Sequence, residues 1–139
     1  MVGPIEASYA IAAAAALEMG HVKRAGEFLG DMEAIPQGER SPSFQAEIAR
    51  LRARLAALGG DGATALAGFE EAVRGFRAIG MRFHLAVALA EYGQRLEGEG
   101  KAEEAGPVLW EAREIFEELK ATWWLDRLDR PDLERSAAR

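Results

Sequence analysis

The sequence predicts an all-α fold, in which three antiparallel helix pairs form an α-solenoid and one further helix caps its C-terminal end. Alanine and leucine dominate the chain, whereas threonine occurs only at Thr64 and Thr122, so the β-branched runs typical of strands are missing. Apolar residues recur with a period near 3.6 in every long segment, which is the helical spacing. Gly20, Gly60 and Gly100 follow one another at intervals of 40 residues, which indicates that a helix pair repeats.

The first pair is predicted over about residues 4–36. Its first helix begins at Pro4, because proline is favoured at the first helical position, and ends near Gly20. Its second helix covers residues 22–35 with one apolar face, and residues 36–40 form a loop.

The second pair is predicted over residues 42–80. Ser41 caps its first helix and Pro42 stands just inside it. The apolar stripe of this helix consists of Phe44, Ile48, Leu51, Leu55 and Leu58. Residues 59–62 contain three glycines and form a turn, and the fourth helix ends near Gly80.

The third pair is predicted over residues 81–120, and a capping helix over residues 121–135. The fifth helix carries an apolar stripe of Leu85, Leu89, Tyr92 and Leu96. The stripe of the sixth helix consists of Ala105, Leu109, Ala112, Phe116 and Leu119.

Each of the three turn glycines is followed at fixed distances by residues of matching size. Five residues after the glycine stands a small residue: Ala25, Ala65 or Ala105. Four residues later stands a bulky apolar one: Leu29, Phe69 or Leu109. The glycine allows the chain to reverse, the alanine lets the two helices approach closely, and the bulky side chain fills the space between them. Each pair leaves one face uncovered, so neighbouring pairs are expected to stack on it.

The third pair resembles the tetratricopeptide repeat, a helix-turn-helix unit. The resemblance rests on Leu89, Tyr92, Gly93, Leu96, Gly100, Ala105, Leu109 and Ala112. The period of 40 residues is longer than that family's usual length of about 34. This longer form of the repeat is similar to the helical arrays of large bacterial signalling proteins. These proteins include regulators of the maltose-activator type and ATPase proteins with adenylate or guanylate cyclase domains. The resemblance implies one tetratricopeptide-like domain over residues 1–139 that binds protein partners, without identifying them.

Charge and composition narrow the classes of function. The 139 residues include 17 basic and 23 acidic ones, a net charge of −6, which argues against nucleic acid as a partner because binding it needs a basic surface. The absence of cysteine excludes disulfides, thiolate metal sites and cysteine nucleophiles, and fits a reducing compartment. The apolar stretch over residues 10–17 is too short to span a membrane, and no basic residue precedes it as in an export signal. We therefore expect a cytoplasmic protein that does not associate with membranes.

No pattern typical of a catalytic site is found, so neither an enzyme nor a bound cofactor is expected. His21 and His84 lie at predicted helix ends. Glu18 precedes His21 by three residues, but a helical bundle normally needs two such Glu-x-x-His pairs to hold a metal ion. The paired glutamates elsewhere are interpreted as solvated helix faces.

In tetratricopeptide arrays the first helix of each pair lines a concave groove, and the resemblance implies which residues do so here. The polar candidates for partner binding are Glu47, Arg50, Arg54, Gln94 and Glu97. The corresponding positions of the first helix are Ala7, Ala10, Ala14, Leu17 and Glu18. Arg50 and Arg54 are one helical turn apart, so both can approach a carboxylate of a partner peptide from one face. The alternative is that they are ordinary surface arginines paired with Glu47.

Trp123 and Trp124 are candidates for a contact with another domain or a second chain. Two adjacent helical residues cannot share one face, so one of them is expected to be exposed unless another part of the protein covers it. The alternative is that the capping helix buries both against the sixth helix, and we expect such packing for at least one of them. An exposed tryptophan is typical of an interaction surface. The alanine-rich first helix, at the other end of the chain, is also a candidate for a contact with another repeat or with a second copy.

The expected function is a non-catalytic protein–protein interaction module that docks a partner segment in its groove. The alternative is a homo-oligomerisation module whose end faces pair with a second copy, as in a homodimer. A third possibility, an enzyme or small-molecule sensor, would require a deep polar pocket, which the apolar stripes do not predict.

Overall fold

A computed structural model describes residues 4–129 of the chain. Over that range the protein is 85% helical and contains no strand. The seven α-helices are α1 (Pro4–Glu18), α2 (Val22–Glu33), α3 (Pro42–Leu58), α4 (Gly62–Ile79), α5 (Arg82–Gly98), α6 (Ala102–Glu118) and α7 (Thr122–Asp129). None of these helices is both long enough and apolar enough to cross a lipid bilayer. The predicted all-α class is confirmed.

Neighbouring helices pack in pairs: α1 with α2, α3 with α4, and α5 with α6. The chain divides into two compact units, the first ending at Gly80 and the second beginning at Met81. Stacking of the three pairs as a solenoid, and a single domain over residues 1–139, stay predictions. The capping helix is present as α7, and residues 130–135 of the predicted cap lie outside the described range.

The turn glycines adopt the left-handed backbone conformation. Their φ angles are 76° at Gly20, 81° at Gly60 and 79° at Gly100. At the second of these turns the Asp61 N–H donates to the Ala56 carbonyl at 2.9 Å, and the Gly60 N–H donates to Ala57 at 3.2 Å. This hydrogen-bond pattern closes the end of a helix and favours glycine at the left-handed position.

The position that ends α6 is an exception, because Lys120 has a φ of 56°. Its N–H donates to the Glu117 carbonyl at 3.1 Å, and the following Ala121 N–H donates to Phe116 at 2.9 Å. The same turn is therefore formed without glycine, at the energetic cost that a side chain carries in this conformation.

The alanines that follow these glycines are buried, with exposed fractions of 0% for Ala25, 0% for Ala65 and 1% for Ala105. Within the α3–α4 pair, two helical glycines add to this close approach. A Cβ atom placed on Gly68 would lie 2.8 Å from the Ala53 Cβ, and one on Gly75 would lie 2.9 Å from the Ala46 Cβ. These helices are therefore closer than a pair with side chains at both positions allows.

The core of the first unit includes one continuous cluster of buried apolar residues. It consists of Ala13, Met32, Phe44, Ile48 and Leu51, with Tyr9, Leu17, Phe28, Leu29, Ile35 and Leu55 packed around it. Three consecutive helices, α1, α2 and α3, supply these side chains, except that Ile35 lies just after α2. Full burial of each large apolar side chain contributes roughly 1.5–3 kcal/mol, so the cluster joins the first helix pair to the second. The predicted stripe of α3 is wrong at its last member, since Leu58 beside the turn is 64% exposed.

The connection between the first two pairs is more ordered than the predicted loop. A 3₁₀ turn covers Gln37–Glu39, and the Arg40 guanidinium donates to the carbonyls of Glu33 and Ile35 at 2.7 and 2.8 Å. Arg40 thereby satisfies carbonyl groups at the end of α2. Ser41 then caps α3 as predicted, accepting from the Phe44 N–H at 3.2 Å.

Candidate functional site

Five of the predicted groove residues of the first unit meet at a crevice between α1 and α3, namely Ala10, Ala14, Glu47, Arg50 and Arg54. The residues that line this α1–α3 crevice are Ala10, Ala13, Ala14, Met32, Glu47, Arg50, Leu51 and Arg54. The alanines of α1 keep its backbone close to α3, and the arginines extend from one face of α3. The enclosed volume is about 10 Å³, enough for roughly one water molecule. The crevice therefore presents a surface and is not a pocket for a metabolite, which needs about 300 Å³ or more.

Arg50 and Arg54 belong to two different ion pairs. A guanidinium nitrogen of Arg50 lies 3.5 Å from the Glu47 carboxylate one turn earlier, and both side chains are about one fifth exposed. A guanidinium nitrogen of Arg54 lies 3.3 Å from the Glu18 carboxylate, across the crevice at the end of α1. The alternative pairing with Glu47 thus holds for Arg50, while Arg54 connects α3 to α1.

The two ion pairs differ in how easily a partner can replace them. The side chain of Glu18 is 69% exposed, and an exposed ion pair contributes about 0–1 kcal/mol. Glu18 also lies at the C-terminal end of its helix, where a negative charge is unfavourable. The Glu18–Arg54 pair is therefore the weaker of the two, and the more buried Glu47–Arg50 pair is harder to separate.

The remaining predicted groove residues, Gln94 and Glu97, lie in the second unit. Both belong to α5, where Gln94 is half-buried and Glu97 is exposed. They are three residues apart and therefore lie on neighbouring positions of one helix surface. Their assignment to a partner-binding groove stays a prediction.

The two tryptophans of α7 occupy different environments. Trp124 is half-buried and stacks on the ring of Phe116 in α6, with ring centroids 5.5 Å apart and planes inclined by 9°. The ring of Phe83 in α5 meets Trp124 edge-on at 5.8 Å. Trp124 therefore attaches α7 to the α5–α6 pair, since Phe116 is itself fully buried.

Trp123, in contrast, is 58% exposed. The Arg127 guanidinium carbon lies 4.3 Å from the centroid of the Trp123 ring, one turn further along α7, which is a cation–π distance. An Arg113 guanidinium also donates to Asp129 near the end of α7, and this hydrogen bond raises the pKa of Arg113 further above its ordinary value. The exposed indole ring thus makes a cation–π contact within its own helix.

The residues considered for catalysis or metal binding do not converge. His21 is exposed at the start of α2, and Glu18, its potential metal partner, is paired with Arg54. His84 is half-buried in α5, with its ring edge-on to Phe83 at 5.9 Å. Among residues 4–129, no group of three or more His, Cys, Asp or Glu side chains is placed to hold a metal ion.

Two polar contacts that shape the first unit are missing from the sequence-based predictions. The Glu6 carboxylate accepts from the Ser41 hydroxyl at 2.8 Å and from the Ser41 N–H at 3.1 Å. The hydrogen bond from Arg54 to Glu18 likewise joins two residues that are far apart in the sequence. A local signal was present in both cases, an acidic residue in the first or last turn of α1, but the partners lie 35 and 36 residues away.

Comparison with known proteins does not extend this description. No protein-family model matches the chain, and no curated protein matches its sequence.

Proposed function

We propose that the chain is a non-catalytic protein–protein interaction module of tetratricopeptide-like helix pairs. Its partner segment docks along the first helices of the first two pairs, α1 and α3, in the groove that includes the α1–α3 crevice. A role in a bacterial signalling protein and a cytoplasmic location are parts of the same proposal, drawn from the resemblance of the third pair.

One observation carries this proposal: two half-buried arginines extend from the same face of α3 beside the alanine face of α1. Arg50 is held in place by Glu47, whereas Arg54 is paired with the exposed Glu18. Ala10 and Ala14 have small side chains that project little from the adjoining surface of α1, so a peptide backbone can approach this helix closely. Apolar contact with α1 supplies affinity, and charge-assisted hydrogen bonds to Arg54 supply orientation.

The experiment compares peptide binding by the wild type, two groove variants and one control variant. An array of 12-residue peptides with varied sequence is probed first with the wild-type chain, and the selected peptides are then measured in solution. The double variant Arg50→Glu with Arg54→Glu is expected to bind them at least about tenfold more weakly, a loss of about 1.4 kcal/mol. The milder double change of both residues to Gln tests whether loss of the positive charge suffices.

The matched control is Arg24→Glu with Arg74→Glu. Both are exposed arginines of the same unit, on α2 and α4, so this variant has the same change in net charge. It is expected to bind as the wild type does, and circular dichroism checks that all variants keep their helices. Selection of no peptide, or equal affinity of the groove variant and the control, would refute the proposal.

A further inference from the structure

The outer face of α1 is an apolar surface without a cover in the described part of the chain. It consists of Ile5, Ser8, Ile11, Ala12, Ala15 and, just after the helix, Met19. Ile5 is 69% exposed, Ile11 70% and Met19 66%. Apolar residues surround this helix on every side, a composition typical of helices that are buried all round. Among residues 5–18 of α1, only Ala13 and Ala16 are buried by the described part of the chain.

This outer face is also uncharged, because both acidic residues of α1 have partners within their own unit. The Glu6 carboxylate accepts two hydrogen bonds from Ser41, and Glu18 pairs with Arg54. No lysine or arginine belongs to α1. The absence of basic residues argues against an anionic lipid surface, which attracts helices rich in lysine and arginine. On the side of α2, the Arg24 guanidinium, whose carbon lies 4.6 Å from the centroid of the Phe28 ring, is paired with Glu27.

A shallow hollow adjoins this face on the side of α2. Ile5, Ser8, Tyr9, Ala12 and Phe28 line it, and the rings of Tyr9 and Phe28 meet edge-on at 6.5 Å within it. The exposed Ile11 side chain lies on the same helix. One surface thus presents both a projecting apolar side chain and a largely apolar hollow. In a symmetric dimer the side chain of one copy can pack into the hollow of the other.

We propose that the outer face of α1 is a homodimer interface, covered by the same face of a second copy of this chain. Two copies of an uncharged face meet without like-charge repulsion, although the whole chain has a net charge of −6. Ser8, Ala12 and Ala15 are small enough to let two α1 helices approach closely. A helix of 15 residues is about 22 Å long. A square patch of the standard size, about 800 Å² per partner, is about 28 Å across. The length of α1 is therefore close to one side of such a patch, and the other dimension requires the adjoining surface of α2 as well as the helix itself.

The first experiment measures absolute mass in solution at low and at high protein concentration. The wild type is expected to reach twice 15.1 kDa at high concentration. Ile5→Glu with Ile11→Glu is expected to stay at 15.1 kDa, because burial of two carboxylates at the interface is prohibitive. Both side chains are about 70% exposed in the single chain, so the variant keeps its helices, which circular dichroism checks.

Two controls place the interface on the molecule. Leu58→Glu alters an apolar residue of α3 that is 64% exposed, and Trp123→Glu alters the exposed indole of α7. Both variants are expected to dimerise as the wild type does. A wild type of 15.1 kDa at every concentration would overturn the proposal, as would a dimer that persists in the α1 variant or is lost in the Trp123 variant alone.

The second experiment uses the absence of cysteine from the chain, which makes single introduced thiols unambiguous. Ser8→Cys, Ala12→Cys and Ala15→Cys are oxidised separately, with the exposed Ala63→Cys and Ala67→Cys of α4 as controls. A disulfide needs Cα atoms within about 7 Å, so at least one α1 variant is expected to give covalent dimers and the controls none. Equal yields in α1 and α4 would contradict the proposal. These variants leave Arg50 and Arg54 unchanged, so failure here is distinct from failure of peptide docking.

Discussion

The α3–α4 pair and the α1–α2 pair use the same turn but differ in how they are packed. Phe44 and Phe76 of the α3–α4 pair are each only 1% exposed, and Ile48 is fully buried. In the α1–α2 pair, Phe28 is only half-buried and Ile11 is 70% exposed. A shared turn motif therefore does not imply a shared degree of burial.

Glycine has opposite roles in the two pairs. Gly68 of α4 faces α3, where an added Cβ would lie 2.8 Å from the Ala53 Cβ and 3.1 Å from the Ala49 carbonyl oxygen. Gly26 and Gly30 of α2 are exposed and have no atom within 4 Å of an added Cβ. A helical glycine thus indicates close packing only where it lies on the contact face.

The largest expected difference between the pairs comes from enlarging their buried alanines. Ala65→Leu is expected to lower the free energy of unfolding by about 1–3 kcal/mol, because the close α3–α4 packing has no room for three more carbon atoms. Ala25→Leu in α2 is expected to cost less, since the neighbouring Phe28 and Leu29 are half-buried and can move towards solvent. Urea denaturation measures both changes. Equal costs would show that the two pairs are equally tight.

A smaller effect is expected from adding one methyl group to a glycine in each pair. Gly68→Ala is expected to destabilise the protein by roughly 1 kcal/mol, because the contact with the α3 backbone outweighs the gain in helix propensity. Gly26→Ala is the matched control and is expected to stabilise by about 0.5–1 kcal/mol, since alanine is the better helix former and meets no neighbour there. Urea denaturation under the same conditions compares their signs. The same sign for both would contradict the assignment of Gly68 to the contact face.

The smallest effect concerns the N-terminal caps of the second helix in each pair. The Asp61 carboxylate accepts from the Thr64 hydroxyl at 2.6 Å and from its N–H at 3.1 Å, whereas His21 at the start of α2 makes no side-chain cap. The side-chain hydrogen bond from Thr64, and then the backbone one, lower the pKa of Asp61 below its ordinary value of 3.8. A lowered pKa means that the carboxylate stabilises the fold at pH values above 3.8 and that this stabilisation is lost as the pH falls through the folded-state pKa.

The measurement is the thermal midpoint of the wild type and of Asp61→Asn as a function of pH. The wild type is expected to be the more stable at neutral pH, and the difference is expected to vanish in acid, because asparagine caps a helix without ionising. Thr64→Ala removes the hydroxyl donor and is expected to reduce this pH dependence. A difference between wild type and Asp61→Asn that stays constant with pH would show that the carboxylate charge has no part in the cap.

The helices could be predicted from local patterns because the interactions that start and stop them are local. Ser41 caps α3 through the Phe44 N–H three residues away. Gly60 ends the same helix through hydrogen bonds within six residues. The turn at Lys120 could not be predicted from a glycine, since a lysine occupies the same left-handed conformation there.

The candidate site could be predicted only in part. That Arg50 and Arg54 share one face follows from their spacing on a helix, and both do line the α1–α3 crevice. The Glu47 partner of Arg50 also follows from spacing, since the two residues are three apart on one helix. The partner of Arg54 does not, because Arg54 pairs with Glu18 at a separation of 36 residues. The two tryptophans are a similar case, since contact with Phe116 and Phe83 makes Trp124 differ from its neighbour Trp123.

Composition, helical periodicity and turn glycines were enough to establish an all-α protein with paired helices, because each depends on residues within one or two turns of one another. Which arginine pairs with which carboxylate, which glycine lies at a contact, and which apolar side chains of α1 remain exposed were decided by tertiary packing. These properties depend on distances between residues far apart in the chain. The apolar surface of α1 is the clearest case. The composition of this helix is typical of a helix that is buried on all sides, whereas among residues 5–18 the fold buries only Ala13 and Ala16.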